Sequence, residues 1–160
     1  MAILPILRWP DTRLTTVCSH TAGDISRLAV DMLETMYAAP GRGLAAPQIG
    51  VLQRIFVMDC TWKEGVFAPR VLIDPEMLWK SDETAIGPES CLSLPGITTE
   101  ISRAKTVTMR WTNLAEAICE ETFTGIAAIC AQHEFDHLSG VLTLDHLDPA
   151  ARTLAESALL

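Results

Sequence analysis

The chain has 160 residues, of which 49% are hydrophobic and 20% charged, and a formal net charge of −8. That length suits one core rather than two, the apolar fraction is too high for a disordered chain, and no apolar run approaches the ~18–20 residues that cross a bilayer. Twelve basic residues against twenty acidic ones argue against nucleic acid as the main ligand, because phosphate binding needs a basic footprint. The apolar start (residues 1–7) is short, has no basic residue ahead of it and runs straight into Arg8, so it does not read as a signal peptide. The five cysteines are an odd number without a CxxC pair and read as reduced thiols. The expectation is one cytoplasmic domain over 1–160, with no membrane segment and a monomer as the default.

In chain order, the first helix is predicted from Asp24 to about Ala39. Ile25, Leu28, Ala29, Met32, Leu33 and Met36 share one face, and Pro40-Gly41 stops it. Thr21 and Asp24 have the spacing of a capping pair. Gly41–Gly50 reads as a glycine-punctuated loop, Ile55–Met58 as a short buried strand, and Val71–Ile73 as another ended by Asp74-Pro75. Thr106–Trp111 alternates, with Val107, Met109 and Trp111 inward. Ala117–Phe123 returns antiparallel to it after the turn at Asn113–Glu116. A second helix runs from about Gly125 to Leu138, with Gly140 as its stop, and a short one can follow from Pro149. Strands clustered between helices, without βαβ alternation, predict an α+β domain with a mostly antiparallel sheet.

Chemistry concentrates on the second helix, at His133-Glu134-Phe135-Asp136-His137. Residues four apart share a helix face, so both imidazoles can reach one cation with Glu134 beside it. Ile126, Ile129 and Cys130 extend the same apolar stripe. A catalytic mononuclear site needs a third protein ligand. The extended His-Glu-x-x-His-x-x-Gly-x-x-His pattern fails, because Thr143 stands where its last His belongs. Glu156 lies in a weak terminal segment, and Asp145 and His146 read as caps of a surface turn. Cys91, in the Pro- and Ser-punctuated stretch Glu89–Pro95, is the remaining candidate; a buried thiol is the plainer reading of it. Asp136 faces away from the histidines and reads as structural. Arg103 and Glu89 are a candidate supporting pair, with a surface ion pair an equal reading.

Three segments then resemble, in order, the signature motifs of the peptide deformylase family. Gly41–Gln48 fits Gly-x-Gly-Leu-Ala-Ala-x-Gln; Glu89–Ser93 fits Glu-Gly-Cys-Leu-Ser apart from Ser90; Gln132–His137 fits Gln-His-Glu-x-Asp-His. The opening Ile6–Leu14 is similar as well, and the likeness covers roughly residues 3–149. It implies a mostly antiparallel sheet packed around a central metal-binding helix, with an N-terminal helix. It implies a metal-dependent hydrolase that removes the formyl group from the N-terminal formylmethionine of new polypeptides. Cys91, His133 and His137 would hold one divalent metal ion, Fe2+ in the cell, with Zn2+, Ni2+ or Co2+ also accommodated. Glu134 would move the proton, while Gln48 and the backbone N–H of Leu92 would stabilise the developing oxyanion. Gly43 and Leu44 would offer main-chain groups to the peptide, and Ile129 and Cys130 would wall the methionine pocket.

Two departures carry expectations of their own. Ser90 adds a side chain where the family has none, which strains the chain if that backbone needs a positive φ. It motivates an alternative reading, hydrolysis of a different N-formyl or N-acyl amine. The tail after His146 carries only Asp148, Arg152 and Glu156 as charges, where many relatives carry a longer basic helix. A shortened tail with weak ribosome contact is the expectation.

Overall fold

The computed structural model describes residues 2–160. Helix α1 (Ile25–Ala38) begins where Asp24 accepts the N–H of Arg27 at 3.1 Å, satisfying one of the free donors of the first turn. Thr21 does not cap it; its N–H and hydroxyl donate to Asp74 at 3.0 and 2.8 Å. Ala29, Met32 and Met36 of α1 are fully buried against Ile55 and Val57.

Seven strands follow the predicted α+β plan: β1 (Gly43–Ala45), β2 (Ile55–Met58), β3 (Arg70–Lys80), β4 (Thr84–Cys91), β5 (Leu94–Ala104), β6 (Thr106–Thr112) and β7 (Ile118–Thr124). Five form an antiparallel sheet in the order β1-β2-β3-β6-β7, and β4 pairs with β5 in a separate antiparallel hairpin. Three strand expectations need correcting. The glycine loop contains β1, which pairs with β2. β3 does not end at Asp74-Pro75; a register shift between Ile73 and Glu76, with Asp74 at φ 47°, absorbs the dipeptide. Cys91 does not lie in irregular backbone but closes β4. Pro88 and Pro95 disguise that hairpin, yet a two-stranded sheet offers outward-facing positions where a missing N–H does no harm.

Helix α2 (Gly125–Leu138) has the predicted bounds. Gly140 ends it at φ 72°, where a Cβ would meet the backbone of Thr15 at 2.7 Å, so glycine is required on two counts. α2 contacts β1, β2, β6 and β7 of the large sheet on one side and β5 of the hairpin on the other. Its small residues Ala128 and Ala131, with Leu138, pack against Phe56, Leu72, Val107, Met109, Trp111 and Phe123. Each large side chain buried there contributes about 1.5–3 kcal/mol. Gln132 staples the helix to β5, exchanging hydrogen bonds with both backbone groups of Ala104 at 3.1 and 2.9 Å. Helix α3 (Pro149–Leu159) starts on an Asp148 cap that accepts from Ala151 at 2.8 Å. Among the described residues no helix is long and apolar enough to cross a membrane.

Candidate active site

The helical period gives α2 two working faces. Ala128, Ala131 and Leu138 face the core, and the adjoining face carries Ile126, Ile129, Cys130, His133 and Glu134 into an open cleft of about 550 Å³. That stripe forms one wall of the cleft, and Ile126 is 48% exposed. Cys91, at the end of β4, reaches the same place from the hairpin. Sγ of Cys91 and one ring nitrogen each of His133 and His137 lie within 4.8 Å of one another; Cys91 Sγ to His137 Nε2 is 3.5 Å. The competing third residues are engaged elsewhere. Glu156 pairs with Arg152 at 2.8 Å, Asp145 caps the N–H of Leu142 at 2.8 Å, and His146 meets Asp136 at 2.9 Å.

A buried ionic chain fixes the histidine from behind. His133 Nδ1 and Glu89 Oε1 are 3.0 Å apart, Arg103 donates to both oxygens of Glu89 at 2.8 and 2.9 Å, and Arg103 also donates to Asp136 at 2.7 Å. Nδ1 being engaged, His133 turns Nε2 toward the cleft. Asp136 does point away from the histidines, but it anchors the far end of this chain. Burial alone would raise Glu89, yet the hydrogen bonds from His133 and Arg103 and their charges hold it at about 2, below its ordinary 4.5. Burial, with His133 beside it, pushes His137 well below its usual value, toward the neutral imidazole that binds cations.

Glu134 sits between the histidines and β1. Its Oε1 lies 4.0 Å from His133 Nε2. Burial pushes its carboxyl up to about 7, opposed by His133 and assisted by Glu89. Gly43 must lack a side chain: a Cβ there would meet Glu134 Oε1 at 2.5 Å. Gly41 is constrained in the same way by Leu92, which a Cβ would meet at 2.8 Å. Gln48 lies on the single turn Ala46–Ile49 that follows β1. Its Oε1 accepts the N–H of Ala45 at 2.9 Å, and its Nε2 donates to Ser93 Oγ at 3.1 Å and toward Cys91 Sγ at 3.6 Å. The amide nitrogen is thereby aimed at the cluster, and Ser93, inside the second motif, is the orienting residue that spacing did not single out.

β1 is an edge strand, and its alternation decides which groups are free. The Arg42 carbonyl accepts from Asp59 and Leu44 sits opposite Val57, so Arg42 and Leu44 direct their backbone groups toward β2. Gly43 and Ala45 direct theirs into the cleft, where Gln48 already takes the Ala45 N–H. Gly43, Ile129, Cys130 and Leu92 line the cleft. Leu44 does not: its side chain is fully buried in the core beside α1. Ser90 is not among the residues at positive φ; it pairs with Thr98 inside β4, and its hydroxyl lies 3.3 Å from that of Thr98. Its backbone is ordinary β-strand, so the condition under which Ser90 would strain the chain is not met.

The donor set fits a divalent cation. A thiol and two imidazoles converge at a buried point, with Nε2 of His137 turned toward Cys91, and beside it Glu134 Oε2 is buried without a partner. Unpaired buried groups are costly, and a cation with its own water would occupy that polar gap.

Residues 3–153 match the family model described as Polypeptide deformylase. The chain is 45% identical to a peptide deformylase of Afipia carboxidovorans, covering 95% of this chain and 91% of the relative. It is 47% identical to one of Alkalilimnicola ehrlichii, over 95% and 86% respectively. Among solved structures it resembles a peptide deformylase from Legionella pneumophila, with TM-score 0.93, 37% identity and coverage of 99% and 94%. It likewise resembles one from Ehrlichia chaffeensis in complex with actinonin, with TM-score 0.90, 36% identity and coverage of 99% and 96%. The chain belongs to the polypeptide deformylase family.

Proposed function

We propose that this chain removes the N-formyl group from the N-terminal formylmethionine of newly made polypeptides, with Cys91, His133 and His137 holding one divalent cation. The observation that carries the reading is the convergence of those three donors within 4.8 Å, with Glu134 beside His133 and the Gln48 amide aimed at the same point. A bound cation supplies Lewis acidity, which makes a water nucleophilic near neutral pH.

The remaining steps belong to the protein. Glu134 takes the proton of the attacking water and delivers it to the leaving amine. A carboxyl raised to about 7 is poised to do both. Gln48 Nε2 and the Leu92 N–H donate to the formyl oxygen as charge builds on it, and losing one such donor typically costs ~10²–10³ in rate. Gly43 pairs with the backbone of the extended peptide as an added strand, while Ile129 and Cys130 receive the methionine side chain. Glu89 and Arg103 keep His133 in register.

A thiolate with two imidazoles suits Fe2+, and accommodates Zn2+, Ni2+ or Co2+ as well; Fe2+ is the proposed cellular ion. Residues 1–160 act as one cytoplasmic catalytic domain and as a monomer. Arg152 of α3 is tied to both Asp145 and Glu156, leaving little free positive charge there for ribosome contact. The test is anaerobic purification, metal analysis and assay on formyl-Met-Ala-Ser. About one ion per chain and release of formate are expected, and a metal-loaded chain without turnover would overturn the reading.

A further inference from the structure

The cleft is built from two rows of residues running away from the cluster. Along β4 the inward positions are Cys91, Glu89 and Gly87, spaced ~6.6–6.8 Å. Along α2 the facing positions are His137, His133, then Ile129 with Cys130, then Ile126 with Gly125, spaced one turn of ~5.4 Å. Cys91 stands level with the histidines, and Glu89 contacts His133 from the next step. Gly87 is the third step, beyond the wall where the methionine side chain is received.

At that step the space does not close. A second cavity of about 380 Å³ lies there, lined by Ile86, Gly87, Ile101, Ala104 and Gly125 among others. It shares Pro88, Glu89 and Ile129 with the first cleft. Its lining is mostly apolar; the Glu83–Lys105 pair on its rim is exposed to solvent, and the buried Glu89–Arg103 pair on its wall is neutralised at 2.8 Å. Nothing in the backbone demands a glycine at 87: its φ is not positive, and a Cβ would meet no atom within 4 Å. What the missing side chain does is leave the end of the row empty.

Resting on the deformylase reading above, we infer that the pocket for the first side chain runs past Ile129 and Gly87 into this second cavity. The enzyme accordingly accepts formylated peptides whose first side chain is an unbranched apolar chain longer than methionine. Gly87 is then the residue that sets the length limit.

The test compares formyl-Met-Ala-Ser with formyl-(2-aminodecanoyl)-Ala-Ser, which carries an eight-carbon side chain, on metal-loaded enzyme. The ratio of the two kcat/KM values is read within each preparation, so that metal content and the folded fraction cancel. The wild-type chain is expected to use the long substrate within about tenfold of the methionine one. Gly87→Ile should lower the ratio of long to methionine substrate by roughly two hundredfold, since each of four excluded methylenes forfeits a factor of about four. Gly87→Ala, whose methyl group meets open space, should behave as wild type. A wild-type chain that rejects the long substrate a hundredfold or more overturns the inference, as does a ratio unchanged in Gly87→Ile. Absence of turnover on both substrates would overturn the deformylase reading itself, and this extension with it.

Discussion

Gly43 and Glu134 are the tightest pair in the cleft, and the glycine matters for its size rather than its flexibility. A methyl group at Gly43 would overlap the Glu134 carboxylate, displacing the proposed proton carrier while leaving the three donors alone. Gly43→Ala is expected to lose roughly 10²-fold in kcat, because misplacing a reacting group by about 1 Å costs that much, with metal content unchanged by elemental analysis. Glu134→Gln keeps the shape and removes the proton transfer, so a fall of ~10²–10⁴-fold is expected, again with metal retained. Cys91→Ala should instead purify without its ion, whereas Glu156→Ala should bind it normally. Equal metal content in those two variants would contradict the assigned donor set.

Among the elements, α2 and the β4-β5 hairpin contrast in how much of them the sequence reveals. The bounds of α2 follow from its apolar period and from Gly140, and its two histidines follow from i,i+4 spacing alone. The hairpin stays hidden because Pro88 and Pro95 look like breakers and because a two-stranded sheet needs no uninterrupted apolar run. Likewise β1 is only three residues long inside a glycine-rich stretch, and β3 tolerates Asp74-Pro75 through a local register shift. Long-range pairing decides such strands, and local pattern does not record it. The same holds for the site: Glu89 and Arg103 can be named as a pair, but their continuation to Asp136 needs α2 and β5 side by side. That pairing is the main ionic tie between hairpin and helix. Arg103 is 7% exposed, and removing one member of a buried ion network costs ~3–5 kcal/mol. Arg103→Ala should therefore lower the urea midpoint strongly and weaken metal affinity ~10–100-fold; a variant with unchanged affinity would reduce the network to a purely structural tie.

For the whole molecule, the same network makes folding depend on pH. Glu89 is held at about 2 against 4.5, so the folded chain binds fewer protons than the unfolded one between those values. Its contribution is complete above pH 4.5 and is lost as pH falls toward 2. Glu134 acts in the opposite sense: raised to about 7, it makes the metal-free fold lose stability as pH climbs from 4.5 to 7. Urea unfolding of the chelated protein should show both slopes. Glu89→Gln should flatten the acid side and Glu134→Gln the neutral side; a Glu89→Gln profile parallel to wild type would exclude the first assignment. Chelation at constant pH should lower Tm, since a ligand bound only by the folded state stabilises it by mass action.

The edge position of β1 has a consequence for how this protein coexists with everything else in a crowded cell. An unpaired strand edge is normally a hazard, since it invites other chains to stack on it. Here the strand is three residues long, only Gly43 and the Ala45 carbonyl are left open on its edge, and it lies along a cleft between the hairpin and α2, where a bulky folded neighbour fits poorly. Only a thin, unfolded chain end can slide in. Main-chain pairing reads no side-chain identity, so beyond its first residue the visiting chain is judged on being extended rather than on its sequence. On the proposed function, the same recess that keeps the protein from sticking to itself would leave it indifferent to which polypeptide it serves.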